Sequence, residues 1–168
     1  MNIAIVGATG NVGRKLLDVL DKKNFQITEL FLVASPKSAG KKIKFKNEEL
    51  IVEDLNNFDF SKVKLAFFAA GSAIAEKWAP IAAEKTIVID NSKFFRKDPQ
   101  IPLVVPEVNS KELAHVKHKN IIANANCSVI PIVVALKPLH DLYSVKSCLL
   151  YTSPSPRDAT LSRMPSSA

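Results

Sequence analysis

Cys127 lies in the stretch Asn124-Ala125-Asn126-Cys127-Ser128-Val129-Ile130-Pro131. A β-branched run, Ile121-Ile122, leads into it, and an apolar run of helical length, Val129 to Leu136, leads out. A cysteine where a strand ends and a helix begins meets unpaired N–H groups and the positive end of the helix dipole, which favour a thiolate. A thiolate there is a nucleophile, and the amides around it can stabilise an oxyanion. The alternative is a buried structural cysteine, since cysteine is among the most buried residue types. Position alone leaves both readings open.

A second chemical element stands at the start of the chain. Asn2 to Val6 is a short apolar run that reads as a buried parallel strand, and it enters Gly7-Ala8-Thr9-Gly10-Asn11-Val12-Gly13, followed by an amphipathic helix from Arg14 to Lys22. Strand, glycine turn and helix form a dinucleotide-binding fingerprint. Gly7 allows the tight turn, Gly10 lets the backbone approach a pyrophosphate and Gly13 lets the helix pack close. The alternative is a glycine-rich turn that binds nothing. NAD-selective sites usually carry an acid near the end of the second strand, where it bonds the ribose 2′-hydroxyl. Here Thr28 to Val33 is followed by Ser35, Lys37 and Ser38 and no acid. Hydroxyls and a cation suit a 2′-phosphate, which favours NADP over NAD; the alternative is a solvated loop.

Two further strand ends carry polar residues. Leu65 to Ala69 ends in Ala70-Gly71-Ser72, which adds Gly71 to the cofactor-binding candidates. Thr86 to Asp90 ends in Asp90-Asn91-Ser92-Lys93-Phe94-Phe95-Arg96, and open α/β sheets bind ligands at such carboxyl ends. Arg96 is a candidate anion clamp because its planar fork matches phosphate or carboxylate, although its position alone favours a surface arginine.

These residues need a framework. The 168 residues, 47% of them hydrophobic, suit one nucleotide-binding domain with a real core. Alternating buried strands and helical runs predict an α/β, doubly wound, mostly parallel sheet of Rossmann type with helices on both faces. Ile43 to Phe45 and Leu50 to Glu53 read as a hairpin. A helix is expected from about Ala73 to Lys85, kinked or divided at Pro80. A short strand at Leu103 to Val105 precedes a helix capped by Ser110 and running to about His115. Asn120 to Ala123 is the strand that delivers Cys127, and the helix after it is expected to stop before Pro138, with Pro131 in its first turn. His115, His118 and His140 read as solvated. No zinc-ligand spacing, Ser–His–Asp set or internal repeat is present.

Composition narrows the partners. No run approaches ~18 consecutive apolar residues, the start lacks the features of a secretion signal, and two cysteines make no disulfide framework, so a cytoplasmic protein with no membrane partner is expected. The net charge of +7 comes from lysines spread along the chain and not interleaved with aromatics. It fits anionic small molecules, a dinucleotide and a phosphorylated substrate, and no nucleic acid.

Taken together, GATGNVG, SPKSAGKK, DNSKFFR, PLVVPEVN and NANCS followed by VVALKPLHD resemble the bacterial aspartate-semialdehyde dehydrogenases in order and spacing, over residues 1 to about 147. The resemblance implies the reversible, NADP-dependent reductive dephosphorylation of aspartyl-4-phosphate to aspartate-4-semialdehyde, a step leading to lysine, methionine, threonine and isoleucine. It also implies a homodimeric full-length enzyme. By match of motif, Cys127 is the acyl-thioester nucleophile, Arg96 and Asn126 hold the phosphoryl group, and Thr9 to Val12 with Ser35, Lys37 and Ser38 hold NADP. Ala125 stands where the family usually has proline, and Pro131 where glutamine is common. The N-acetyl-glutamyl-phosphate reductases share the nicotinamide and cysteine logic but set their cysteine in a G-C-Y-P-T context, unlike Asn126-Cys127-Ser128. A non-catalytic nucleotide-binding module is the other alternative.

The resemblance also implies a histidine base in a second, substrate-binding domain, and none of the three histidines here matches its motif. From Cys148 the chain reads CLLYTSPSPRD and ends in LSRMPSSA. That string resembles the in-frame translation of a transposase-type sequencing-library adaptor. Residues 1–147 are thus expected to form the NADP-binding domain with the nucleophile turn, and residues 148–168 a disordered tail without function; the alternative is a natural Ser/Pro tail.

Overall fold

The computed structural model describes residues 1–23 and 25–148, apart from the side chains of His115, Lys117 and His118. The expected tail beyond Cys148 and the solvation of His115 and His118 lie outside the described residues. The described residues divide into two units, Met1–Asn126 and residues 127–148.

In the first unit the elements run β1 (Ile3–Val6), α1 (Asn11–Lys22), β2 (Leu30–Ala34), β3 (Lys42–Phe45), β4 (Glu48–Asp54), β5 (Leu65–Phe68), α2 (Ser72–Ala83), β6 (Ile87–Asp90), β7 (Leu103–Val104), α3 (Pro106–Asn109) and β8 (Ile121–Asn124). Among the described residues the strands form an eight-stranded sheet in the order β3-β4-β2-β1-β5-β6-β8-β7. Every pairing is parallel except the β3–β4 hairpin, which runs Phe45 opposite Glu48 and ends at Lys42 opposite Ile51. β1 lies in the middle, with Ile3 to Val6 in register with Leu30 to Val33 on one side and Leu65 to Phe68 on the other. A four-residue strand buried on both faces needs an unbroken apolar run, which IAIV supplies.

Side chains alternate across a strand with period two, so β1 feeds two cores. Ala4 and Val6 join Ala66, Phe68, Val88 and the α2 residues Ala75, Ala79, Ala82 and Ala83. Ile5 joins Leu32, Ala34, Val52 and the α1 residues Leu17 and Leu20. The two helices therefore cover opposite faces of the sheet, as a doubly wound fold requires. On the α2 face, Phe31, Phe58, Phe60 and Phe68 form a chain of ring contacts with centroids 5.1 to 6.1 Å apart. Asp54 and Asp59 stabilise the short turns beneath it by accepting from Asn56 N–H (3.0 Å) and Ser61 N–H (2.9 Å).

Four local expectations are corrected. α1 begins at Asn11 and not at Arg14, because Arg14 N–H already donates to Gly10 O at 2.9 Å and makes Gly10 the cap. α2 runs through Pro80 as one helix from Ser72 to Ala83. Ser110 does not cap a helix; it opens a 3-10 segment, Ser110–His118. The polar tie there is Asn109, whose side chain accepts from Val105 N–H (2.8 Å) and donates to Leu103 O (2.9 Å).

The fourth lies in the second unit, where α4 (Val129–Tyr143) continues through Pro138. A proline there removes one backbone bond. The Lys137–Asp141 pair, four residues apart at 2.5 Å, spans that turn. The helix closes only at Ser144, in the left-handed conformation with its N–H on His140 O at 2.8 Å. His140 is thus an exposed residue in the last turn of the helix, and does not follow its end. Among the described residues no helix is long and apolar enough to cross a membrane.

Candidate functional site

The sheet order reverses direction between β1 and β5, whose following helices lie on opposite faces, and ligands bind open α/β sheets at such a switch point. A cavity of about 320 Å³ opens there, lined by Gly7, Thr9 and Gly10 after β1, Ala34 and Ser35 after β2, Ala69 and Ala70 after β5, and by Leu55 and Ile74. The glycines shape it. Gly7 has φ +88°, and a Cβ on it would lie 2.8 Å from the Ala69 and Ala70 backbone. A Cβ on Gly13 would lie 2.3 Å from Gly7 O, so only glycine at this buried position lets the first turn of α1 sit this close to the turn before it. A Cβ on Gly10 would meet only Gly7 O, at 3.4 Å, so one face of this residue is open.

Both helices that start here are capped by glycine, α1 by Gly10 and α2 by Gly71, with no side-chain cap bond and no acid in the first turn. The first N–H groups of a helix have no intrahelical partner. Two helix starts of this kind at adjacent strand ends present backbone donors and two positive dipole ends to an anion. Asn11 and Val12 are exposed in the first turn of α1. Ser35 heads a short 3-10 turn, Pro36–Ser38, closed by Ser38 N–H on Ser35 O at 2.8 Å, and Lys37 in that turn is exposed. Of the sequence candidates, Gly7, Thr9, Gly10 and Ser35 line one cavity, with Asn11, Val12, Gly13, Lys37, Ser38 and Gly71 on the adjoining turns. Leu55, Ala69, Ala70 and Ile74 had not been singled out; only their places after strand ends or in a first helical turn could have signalled them. A larger hollow of about 720 Å³, against the β3–β4 hairpin near Phe31, Phe45 and Glu48, carries none of the candidates.

At the carboxyl ends of β6 and β8 stands Arg96, half-buried. Its Nε donates to Asn124 O (2.9 Å) and its Nη2 to Asn91 O (3.0 Å), while Asn124 Nδ2 donates to Asn91 Oδ1 (2.6 Å). Arg96 is therefore not a free surface arginine. These bonds use two of the five N–H donors of a guanidinium. Asp90, fully buried, accepts from Ser92 N–H (3.0 Å) and Ser92 Oγ (2.6 Å). Burial holds its carboxyl above the usual aspartate range, against the opposing pull of those two bonds and of Arg96. Ser92 Oγ in turn accepts from Phe94 N–H at 3.1 Å.

Asn126 is exposed at the end of the first unit. In the second unit, Cys127 is a free, exposed thiol directly before Ser128, the cap residue of α4. It is not a buried structural cysteine. Among the described residues no three His, Cys, Asp or Glu side chains gather as a metal set.

This architecture is shared with known proteins. A family described as "Semialdehyde dehydrogenase, NAD binding domain" matches residues 2–116. Aspartate-semialdehyde dehydrogenase 2 of Vibrio cholerae serotype O1 is 49% identical over 146 residues, which cover 86% of this chain and 43% of that protein. The crystal structure of aspartate semialdehyde dehydrogenase II from Vibrio cholerae complexed with ASA superposes with TM-score 0.82 at 51% identity, over 83% of this chain and 46% of the other. The Candida albicans aspartate semialdehyde dehydrogenase with NADP gives TM-score 0.68 at 25% identity, over 86% and 48%. The chain thus spans under half the length of these relatives. Fold, glycine turn and sequence match converge on one assignment: the chain belongs to the semialdehyde dehydrogenase family, whose NAD-binding domain occupies residues 2–116.

Proposed function

We propose that residues 1–147 are the nucleotide-binding and nucleophile-bearing part of an NADP-dependent aspartate-semialdehyde dehydrogenase. The observation that carries this is the cavity at the β1–β5 switch point, with its two glycine-capped helix starts, in a domain of this family. The residues fit a dinucleotide. Gly10 leaves its backbone open to a pyrophosphate, and the first-turn N–H groups of α1 and α2 supply donors. Ser35, Lys37 and Ser38 occupy the turn where an NAD-selective site would carry an acid, which supports a 2′-phosphate.

When bound, NADPH supplies the hydride. The rest is the chain's own chemistry. The Cys127 thiolate attacks the acyl carbon of aspartyl-4-phosphate; a C–S bond forms, the C–O bond to phosphate breaks, and phosphate leaves carrying the electron pair. Arg96 and Asn126 hold the phosphoryl group before this step and the phosphate after it. The thioester on Cys127 accepts the hydride at its carbonyl carbon, and collapse of the resulting thiohemiacetal returns the thiolate and releases the aldehyde. That collapse requires a proton transfer. The base is assigned to a histidine within the part of the relatives that this chain does not span, so the 168 residues alone are proposed to be inactive.

The test is NADP-dependent oxidation of aspartate semialdehyde in the presence of phosphate, by the chain extended to the length of its relatives. Activity should appear and should vanish in Cys127→Ala. Full activity of Cys127→Ala would remove Cys127 from the mechanism.

A further inference from the structure

Three side chains tie the carboxyl ends of β6 and β8 into a closed ring. Arg96 Nε reaches Asn124 O at 2.9 Å, Arg96 Nη2 reaches Asn91 O at 3.0 Å, and Asn124 Nδ2 reaches Asn91 Oδ1 at 2.6 Å. Asn91 accepts twice in this ring, through its carbonyl and through its side chain, and its own N–H is anchored on Phe68 O at 3.0 Å. That last bond ties the ring to β5, in the middle of the sheet. An arginine side chain has large rotamer freedom, and freezing it in advance removes an ordering cost from anion binding. The guanidinium here is frozen by two carbonyls, and the shortest bond of the ring, Asn124 to Asn91, keeps those carbonyls at a set separation.

We propose that Asn91 is a positioning residue for Arg96. Its side-chain oxygen holds Asn124, the Asn124 carbonyl holds Arg96 Nε, and the remaining guanidinium donors face the anionic group of the substrate already oriented. The assignment rests on the reading of Arg96 as a phosphate-holding residue. It gives Asn91 no contact with substrate; its effect passes entirely through Arg96.

Two measurements test it. The first takes the enzyme extended to the length of its relatives and compares KM for phosphate and kcat in wild type, Asn91→Ala, Arg96→Lys and the double variant. Each single variant should raise the phosphate KM about tenfold with kcat within about twofold. The double variant should be no worse than Arg96→Lys alone, because a residue that acts through Arg96 has nothing left to act on. Multiplying effects would overturn the positioning role while leaving Arg96 as the phosphate residue. A wild-type phosphate KM in Arg96→Lys would instead overturn the reading on which the proposal rests. The second measurement takes the 168-residue chain and follows hydrogen exchange at Arg96 Nε by NMR. It should be protected in wild type and about tenfold faster in Asn91→Ala; equal rates would overturn the proposal. Should Asn91→Ala not fold, Asn124→Leu removes the same bond from its other end. It must then reproduce the rise in phosphate KM, and a wild-type value would overturn the proposal.

Discussion

Gly13 is held to glycine by the backbone of the turn before it: a Cβ there would stand 2.3 Å from Gly7 O and 2.8 Å from Ala8 Cα. Gly13→Ala must therefore push α1 away from the turn, at a cost of about 1–3 kcal/mol as for other overpacked sites. The same shift should weaken nucleotide binding by moving the donors of the first turn. Denaturant unfolding and NADP titration of the chain read both effects, and an unchanged midpoint would mean the helix start yields freely. Asp90 makes a prediction about pH. Its carboxyl titrates above the ordinary aspartate value of 3.8 chiefly because it is buried. The folded chain thus keeps a proton that the unfolded chain has lost. The stabilisation linked to that proton is complete below the unfolded value and disappears as pH rises through the folded one. As pH rises above the ordinary aspartate value, unfolding midpoints should fall for wild type relative to Asp90→Asn, then run parallel once the folded carboxyl has ionised. Parallel curves throughout would show that the hydrogen bonds from Ser92 and the charge of Arg96 cancel the burial.

The helices hold the sheet by one face each. Leu17 and Leu20 of α1 are 4% exposed against Ile5, Leu32 and Val52, while Val19 on the same helix is 41% exposed. Leu17→Ala should cost about 2–5 kcal/mol of unfolding free energy, as deletion of a buried leucine does. Val19→Ala should stay within about 0.5 kcal/mol. Equal losses at the two positions would contradict the assigned face. Much of this is legible in the sequence. β1, β5, β6 and β8 lie within one or two residues of their expected places, because short apolar runs such as IAIV and LAFF suit the strands of a parallel sheet covered on both faces. The misjudged elements are those where one residue's local rule competes with neighbouring turns. Pro80 and Pro138 are strong local signals against a helix, yet each removes only one backbone bond while the rest of the helix persists.

For the whole molecule, the proposed function places the cofactor in the cavity at the switch point and its 2′-phosphate at the Ser35–Ser38 turn. The extended enzyme should bind NADP more tightly than NAD, and Lys37→Glu should narrow or reverse that preference by repelling the 2′-phosphate. Equilibrium titration with both dinucleotides checks this, and equal or better NAD binding by the unsubstituted enzyme would count against the 2′-phosphate assignment. The 168-residue chain should show no steady turnover. Well-placed groups can lower a barrier by roughly 7–11 kcal/mol, and under the proposed function the base belongs to the part of the relatives that this chain does not span.

What the sequence determined by itself was the set of features whose cause is local. The glycine turn follows β1 because a strand, three glycines and a helix are contiguous, and Cys127 precedes α4 because an apolar helical run begins two residues later. The family likeness was readable for the same reason, as each motif is a short continuous stretch. Only the tertiary structure decided which distant residues share a site. Leu55 and Ile74 meet Gly7 and Ser35 in one cavity because β1 pairs with both β2 and β5. Arg96 gains Asn124, 28 positions away, because β6 pairs with β8 across a connection that contains β7. Strand order is a global property of the sheet, fixed by which apolar faces can be buried together, and no window of sequence contains it.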